Sequence, residues 1–204
     1  MALARVEPIA FDAGTHRLEG RWRPGTAGGA VIAPPHPEYG GRLDHPVVDA
    51  LAAALADARL TTLAFNWSGV GASEGTISGD LVSADGDYAA ALAELARRDG
   101  TRPVVAAGYS FGAATALRLA ARVDRVLLVA PPVAMVGAEE LRRCPCPTAV
   151  VVGDADDYAP GDLVAALMPR REDARLDILP GVDHFFAADG ALERLRQALG
   201  AALA

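Results

Sequence analysis

Short apolar runs alternate with longer amphipathic segments along this chain, and this pattern predicts alternating strands and helices. The predicted strands are Val6–Phe11, Arg17–Arg23, Ala30–Ala33, Leu60–Asn66, Val104–Tyr109, Arg125–Ala130, Thr148–Val152 and Arg175–Leu179. The predicted helices are Val47–Ala58, Asp87–Arg98, Phe111–Arg122, Gly161–Met168 and Gly190–Leu203. Such alternation indicates an α/β fold, with a mostly parallel sheet covered by helices on both faces. The first two strands flank Gly14 and are expected to form an antiparallel pair.

The segment Gly108–Gly112, with the sequence GYSFG, lies between a predicted strand and a predicted helix. A serine at the tip of such a turn has a strained backbone and projects its hydroxyl outwards. Glycines two residues before and after it remove side chains that would clash. The string by itself is common in loops rich in glycine and serine, but its strand-turn-helix context favours a nucleophile elbow. We therefore predict Ser110 as a catalytic nucleophile.

A serine hydroxyl needs a base to become nucleophilic, and the chain contains four histidines. His184 follows the last predicted strand, where a loop can lean over the elbow. His16 lies in an early turn and is expected at the surface. His45 precedes a predicted helix, and His36 lies in a proline-rich loop. His184 is therefore the predicted base.

Three aspartates follow the predicted strand Thr148–Val152 and precede the histidine. In hydrolases with this chain order, the acid that orients the base lies between the serine and the histidine. Asp154, Asp156 and Asp157 are all candidates on position alone. A solvated turn is one alternative, since aspartate, glycine and proline favour turns. A calcium-binding loop is another, but the glycine and terminal glutamate of an EF-hand are missing from the spacing.

Five segments in this order resemble the α/β-hydrolase superfamily, and more narrowly the small cap-less bacterial serine hydrolases related to dienelactone hydrolase. These segments are Val31–Gly41, Phe65–Gly75, Gly108–Gly112, Gly153–Pro160 and Gly181–Phe186. The resemblance runs from about the third strand to near the C-terminus. It implies an α/β-hydrolase fold of about eight strands without a cap domain. The length fits a single domain over residues 1–204.

The family pattern Gly-x-x-Asp-x-x-x-Pro falls on Gly153, Asp156 and Pro160. The resemblance therefore implies that Asp156 is the acid of a Ser110-Asp156-His184 triad. The chain departs modestly from the family, which often has Arg-Gly at the position of Ser68-Gly69 and Val-Pro at the position of Ala159-Pro160. Neither departure involves the three predicted triad residues.

Two backbone amides are expected to form an oxyanion hole. One belongs to Phe111, immediately after the nucleophile. The other is expected in the loop after the third strand, where Pro37 has no N–H to donate. The family places this donor on the second residue after the loop histidine, which is Glu38 in this chain, with Tyr39 as the alternative.

The segment between Ala130 and Thr148 has room only for a loop and a short helix, where many related enzymes insert a helical cap. We therefore expect an open, shallow site. Its candidate walls are Tyr39, Trp67, Tyr109, Phe111, Val133, Met135, Tyr158 and Phe185. Tyr39, Trp67 and Tyr109 are the predicted substrate-binding residues.

The expected reaction is hydrolysis of a small-molecule carboxylic ester or thioester by acyl transfer to Ser110. One alternative is a peptidase or amidase of the same fold. Another is a non-catalytic protein of this fold that binds a ligand or a protein partner, since a fold alone does not establish function.

Composition excludes several other classes of function. The chain has 204 residues, and 51% of them are apolar. Its net charge is −7, and it contains arginines but no lysine, so nucleic acid binding is not expected. Neither a membrane span nor a signal peptide is evident, and a cytoplasmic location is expected. Cys144 and Cys146 are too close in sequence for an ordinary disulfide and have no neighbouring histidines, so we expect neither a metal nor a cofactor.

Overall fold

A computed structural model describes residues 5–204 of the chain, and within them eight strands form one sheet. The strands are β1 (Glu7–Asp12), β2 (Arg17–Arg23), β3 (Gly29–Ala33), β4 (Thr61–Phe65), β5 (Val104–Tyr109), β6 (Arg125–Val129), β7 (Thr148–Gly153) and β8 (Ala174–Leu179). Their order is β1-β2-β4-β3-β5-β6-β7-β8. The β1–β2 and β2–β4 pairs are antiparallel, and every other pair is parallel. The predicted fold class is therefore confirmed.

Helices cover both faces of the sheet. They are α1 (Pro46–Asp57), α2 (Leu81–Arg98), α3 (Phe111–Arg118), α4 (Ala138–Arg142), α5 (Gly161–Leu167) and α6 (Ala191–Leu203). Helix α1 packs against α6, whereas α2 packs against α3, which also contacts α4. Two groups of helices thus enclose strands whose residues are buried from end to end in β3, β4 and β7. This burial explains why those strands read as continuous apolar runs.

Helix α2 begins at Leu81, earlier than the predicted start at Asp87. The carboxylate of Asp80 accepts a hydrogen bond of 2.9 Å from the Ser83 amide and so caps the helix. Polar residues and Gly86 interrupt the apolar periodicity of its first turns, which is why the pattern did not indicate them. Helix α3 also ends earlier than predicted, at Arg118, and a 3₁₀ turn over Ala120–Arg122 follows it.

Tyr88 of α2 connects the two central strands β3 and β5 through hydrogen bonds. Its side chain is fully buried, and its hydroxyl oxygen lies 2.9 Å from the carbonyl oxygens of both Val31 and Ala107. These carbonyls belong to β3 and β5. The parallel strands end at one edge of the sheet, where α/β proteins place their ligand sites.

The connection between β6 and β7 contains only α4, so the described chain carries no cap over this edge of the sheet. Across residues 5–204, no helix combines the length and the apolar character needed to cross a bilayer.

Candidate active site

Ser110 occupies the sharp turn between β5 and α3. Its backbone has φ 54° and ψ −118°, a left-handed conformation that costs free energy in a residue with a side chain. The turn is held by the Ser110 amide, which donates to the carbonyl of Val129 at 2.9 Å. The carbonyl of Ser110 accepts from the amides of Ala113 and Ala114 at 2.9 and 3.1 Å. The strained conformation directs the hydroxyl away from the sheet, as the nucleophile-elbow prediction requires.

The glycines on either side of Ser110 permit very close backbone contacts. A Cβ atom on Gly108 would lie 2.2 Å from the carbonyl oxygen of Gly112. A Cβ atom on Gly112 would lie 2.4 Å from the carbonyl oxygen of Ala33, at the end of β3. Side chains are therefore excluded at both positions by main-chain atoms, which cannot rotate away.

His184 stands between Ser110 and Asp156. The Ser110 Oγ lies 3.0 Å from His184 Nε2, and His184 Nδ1 lies 2.8 Å from Asp156 Oδ2. An ionised carboxylate only accepts hydrogen bonds, so Nδ1 of the neutral imidazole carries the proton and Nε2 is the acceptor. The Ser110 hydroxyl accordingly donates to His184. This arrangement fits a Ser-His-Asp catalytic triad.

The loop after β7 fixes the carboxylate of Asp156. Asp156 Oδ1 accepts hydrogen bonds of 2.8 Å from the amides of both Tyr158 and Ala159, and the side chain has no exposed surface. Asp154 is exposed and instead accepts from the amide of Gly181 at 2.5 Å, so it braces the loop that carries the histidine. Asp157 is exposed as well. Of the three candidate aspartates, the structure brings Asp156 to the imidazole.

Tyr109 is hydrogen-bonded to the backbone of His184. Its hydroxyl donates to the backbone carbonyl of His184 at 2.9 Å, and its side chain is buried. Burial raises the pKa of Tyr109 well above its ordinary value, so the hydroxyl remains a donor at neutral pH. Tyr109 was predicted as a substrate-binding residue, but the structure buries it against the imidazole, where it holds the backbone of His184.

The loop after β3 contains a 3₁₀ turn over Pro37–Tyr39, which the sequence did not predict. The Tyr39 amide donates to the carbonyl of His36 at 3.1 Å. Within residues 5–204, the amides of Glu38 and Phe111 have no hydrogen-bond acceptor. Both amides stand at the start of a helical segment, where no intrahelical acceptor exists. Glu38 therefore offers a free donor, whereas Tyr39, the alternative, does not.

Trp67 holds the start of the same loop. Its indole N–H donates to the carbonyl of Pro35 at 3.0 Å, and its ring packs edge-on against Phe111, with 5.4 Å between centroids. Only 2% of Trp67 is exposed. Trp67 was predicted to contact substrate, but the structure places it in the core behind the loop. A buried indole N–H needs a hydrogen-bond acceptor, and the carbonyls of the proline-rich loop supply one. The presence of those carbonyls near Trp67 in the fold was the signal for its burial.

Three aromatic side chains remain exposed in the described chain, and all three contact residues of this site. Tyr39 is 85% exposed and lies against His36, with 4.7 Å between ring centroids. Tyr158 and Phe185 are 56% and 61% exposed, and their ring centroids lie 4.7 and 5.5 Å from that of His184. Of the predicted substrate-binding residues, only Tyr39 reaches the open surface.

A second set of serine, histidine and aspartate lines a cavity of about 410 Å³ beside α2. The Ser68 hydroxyl lies 2.7 Å from His16 Nε2 and donates to Asp87 Oδ1 at 2.8 Å. Because the serine stands in the middle, its proton points to the carboxylate and the imidazole donates to the serine oxygen. This order does not fit a triad. His16 was predicted as a surface residue, and the structure leaves 24% of its side chain exposed.

Cys144 and Cys146 are both buried, with their sulfur atoms 3.9 Å apart, so they are free thiols. Among residues 5–204, no group of three or more histidine, cysteine, aspartate or glutamate side chains is arranged to hold a metal ion.

Comparison with known proteins identifies related chains over most of this length. The model of the alpha/beta hydrolase family matches residues 29–143. An alpha-beta serine hydrolase homologue from Coxiella burnetii is 30% identical, with a TM-score of 0.87 over 97% of both chains. A serine hydrolase without a lid from Xanthomonas campestris is 26% identical, with a TM-score of 0.84 over 98% of this chain and 94% of that one.

An uncharacterized protein from Rickettsia prowazekii is 32% identical over 197 residues, which cover 87% of this chain and 81% of the relative.

Proposed function

Because this chain belongs to the alpha/beta hydrolase family, we propose that it is a serine hydrolase that cleaves carboxylic esters or thioesters. Ser110 is the proposed nucleophile, His184 the general base and Asp156 the acid that orients it. The observation that carries the proposal is the continuous hydrogen-bond chain from Ser110 Oγ through His184 to Asp156, with links of 3.0 and 2.8 Å.

Acylation begins when Ser110 Oγ attacks the carbonyl carbon of the substrate. His184 Nε2 takes the hydroxyl proton in this step, and the carbonyl electrons move onto the oxygen to form a tetrahedral oxyanion. When the intermediate collapses, the bond to the leaving oxygen or sulfur breaks and His184 returns the proton to that atom. Asp156 keeps the Nδ1–H tautomer in place and stabilises the imidazolium. Water then repeats the sequence on the acyl-enzyme and releases the acid.

The amides of Phe111 and Glu38 are the proposed donors to the oxyanion. Their supporting observation is that both lack an acceptor in the described structure and lie on the two segments that meet at Gly112 and Ala33. A single donor of this kind typically contributes about 2.7–4 kcal/mol of transition-state stabilisation. The strained turn at Ser110 fixes the Phe111 amide relative to the nucleophile, so this donor is organised before substrate binds.

A panel of substrates tests the proposal. The purified protein is assayed with carboxylic esters, thioesters and peptide amides that share one acyl group, alongside Ser110→Ala. We expect ester or thioester turnover that exceeds amide turnover, and its loss in Ser110→Ala without a change in the circular dichroism spectrum. Ser68→Ala is the matched control, because it removes the other serine that contacts a histidine and an aspartate, and it is expected to keep the activity. Wild-type activity in Ser110→Ala, or faster amide cleavage, would refute the proposal.

A further inference from the structure

Two of the aromatic side chains that contact His184, those of Tyr158 and Phe185, are exposed, whereas the third, that of Tyr109, is buried. Tyr158 comes from the loop that supplies the acid, and Phe185 directly follows the base. More than half of each side chain is exposed, although most aromatic residues of the chain are buried. Their rings meet edge to face, with 6.4 Å between centroids and an interplanar angle of 78°. Together they form an open apolar corner above His184.

The chemistry of acyl transfer determines which part of a substrate this corner meets. This step rests on the proposed function, in which His184 Nε2 returns its proton to the leaving atom. That atom must therefore come within hydrogen-bond reach of Nε2, about 2.6–3.2 Å. The group attached to the leaving atom then extends past the exposed side of the imidazole. The acyl group, by contrast, is bound to Ser110 after the first step and remains when the leaving group has gone.

We infer that Tyr158 and Phe185 form a leaving-group subsite, selective for substrates whose alcohol or thiol carries an aromatic ring. An edge-to-face pair presents one ring face and one ring edge to the same space. A third ring that enters this space makes stacked or edge-on contacts with both, within the 4.5–7 Å range that aromatic pairs prefer. Tyr39 lies on the loop of the proposed oxyanion donor, where its ring contacts His36.

The test compares leaving groups of similar intrinsic reactivity on one acyl group. Acetates of benzyl alcohol, cyclohexylmethanol and ethanol are assayed with the wild type, Tyr158→Ala, Phe185→Ala and Tyr158→Phe. The measured quantity is the ratio of kcat/KM for the benzyl ester to that for each other ester. Val82→Ala is the control, since Val82 is an exposed apolar residue on α2 that contributes nothing to the corner.

We expect the benzyl-to-cyclohexylmethyl ratio to exceed one in the wild type and to fall about three- to tenfold in each alanine variant, the range for one aromatic pair. Tyr158→Phe and Val82→Ala are expected to keep the wild-type ratio. Unchanged ratios in both alanine variants would overturn the assignment. A shift that instead follows acyl length, measured with ethyl acetate and ethyl butyrate, would overturn it too, because the rings would then contact the acyl side.

Labelling with a fluorophosphonate separates failure of this inference from failure of the proposed function. Labelling of Ser110 in every variant, with ratios that do not move, rejects only the leaving-group subsite. A wild-type protein that is neither labelled at Ser110 nor active on any of the esters rejects the serine hydrolase proposal, and the subsite with it.

Discussion

At the scale of single residues, neighbouring aspartates on one loop have different surroundings and therefore different expected roles. Asp156 is buried and receives two backbone N–H groups besides the imidazole, whereas Asp154 is exposed and accepts from Gly181. A buried carboxylate with these donors is held in one orientation, so it can fix the tautomer of His184. An exposed carboxylate that braces a loop has no such effect on the imidazole.

Replacement of each aspartate by asparagine tests this difference. Asp156→Asn places an amide against Nδ1 and favours the wrong tautomer of His184, so we expect kcat/KM for an ester to fall by about 10⁴-fold. Asp154→Asn retains an acceptor for the Gly181 amide and is expected to stay within about threefold of the wild type by the same reasoning. Steady-state kinetics measures both values. An equal loss in the two variants would mean that Asp156 has no special role.

Alanine substitutions at Gly112 and Gly86 distinguish two reasons for a glycine: a close backbone contact and backbone flexibility. Gly112→Ala would place a methyl group 2.4 Å from the Ala33 carbonyl oxygen, so we expect a loss of about 1–3 kcal/mol in the free energy of unfolding, together with lower activity. Gly86→Ala meets no atom within 4 Å inside α2 and is expected to stabilise the protein by about 0.5–1 kcal/mol. Denaturant unfolding measures both changes in the free energy of unfolding. If both variants lost stability, or both gained it, the distinction between the two glycines would be wrong.

At the scale of elements, helix α1 begins with a histidine cap. His45 Nδ1 accepts a hydrogen bond of 3.2 Å from the Val47 amide. Burial lowers the pKa of His45 below its ordinary 6.5, although Asp49 and Asp44 oppose the shift. The folded protein thus favours the neutral imidazole that the cap requires, while the unfolded chain binds a proton more readily.

This cap predicts a pH dependence of stability with a definite sign. Where the unfolded state binds more protons than the folded state, the free energy of unfolding rises with pH. The contribution of His45 is therefore complete above pH 6.5 and is lost as the pH falls below that value. His45→Asn keeps a capping acceptor but does not titrate. Chemical unfolding at pH 7.5 and 5.5 should show a larger loss of stability in the wild type than in His45→Asn; parallel losses would exclude this role.

A helix or strand could be predicted from the sequence when its own residues carry the pattern that determines it. The central strands could be predicted because burial on both faces demands uninterrupted apolar runs, as in β3 and β7. The start of α2 could not, because its first turns depend on the Asp80 cap rather than on apolar periodicity. The 3₁₀ turn at Pro37–Tyr39 has local signals, a proline at its start and a left-handed Gly40 at its end, but three residues are too few to show an apolar period.

At the scale of the whole molecule, a parallel sheet collects loops from distant parts of the chain at one edge. Ser110, Asp156 and His184 all follow strands, so their proximity could be predicted from topology and motif order. The burial of Trp67 and Tyr109 could not, because Trp67 follows a strand and Tyr109 ends one, and only their tertiary hydrogen bonds reveal supporting positions. The single domain over residues 1–204 stays a prediction.

The open surface around the candidate site also follows from the arrangement of the whole molecule. A five-residue helix, α4, stands in the connection between β6 and β7. The exposed ring of Tyr39 lies against His36, and those of Tyr158 and Phe185 lie against His184. Because the described chain places no cap over them, we expect a large or rigid substrate to reach Ser110 without a lid movement. The proposed specificity therefore depends on surface side chains more than on an enclosed acyl cavity.

The central claim is that this assembly activates Ser110 as a nucleophile, and covalent labelling tests it most directly. The folded protein is treated with a fluorophosphonate at neutral pH, and the modified peptide is identified by mass spectrometry. We predict one label per chain, located on Ser110, with labelling abolished in Ser110→Ala and strongly reduced in His184→Ala, while His16→Ala labels at the wild-type rate. A folded wild-type protein that resists the reagent, or carries the label at another residue, would contradict the account.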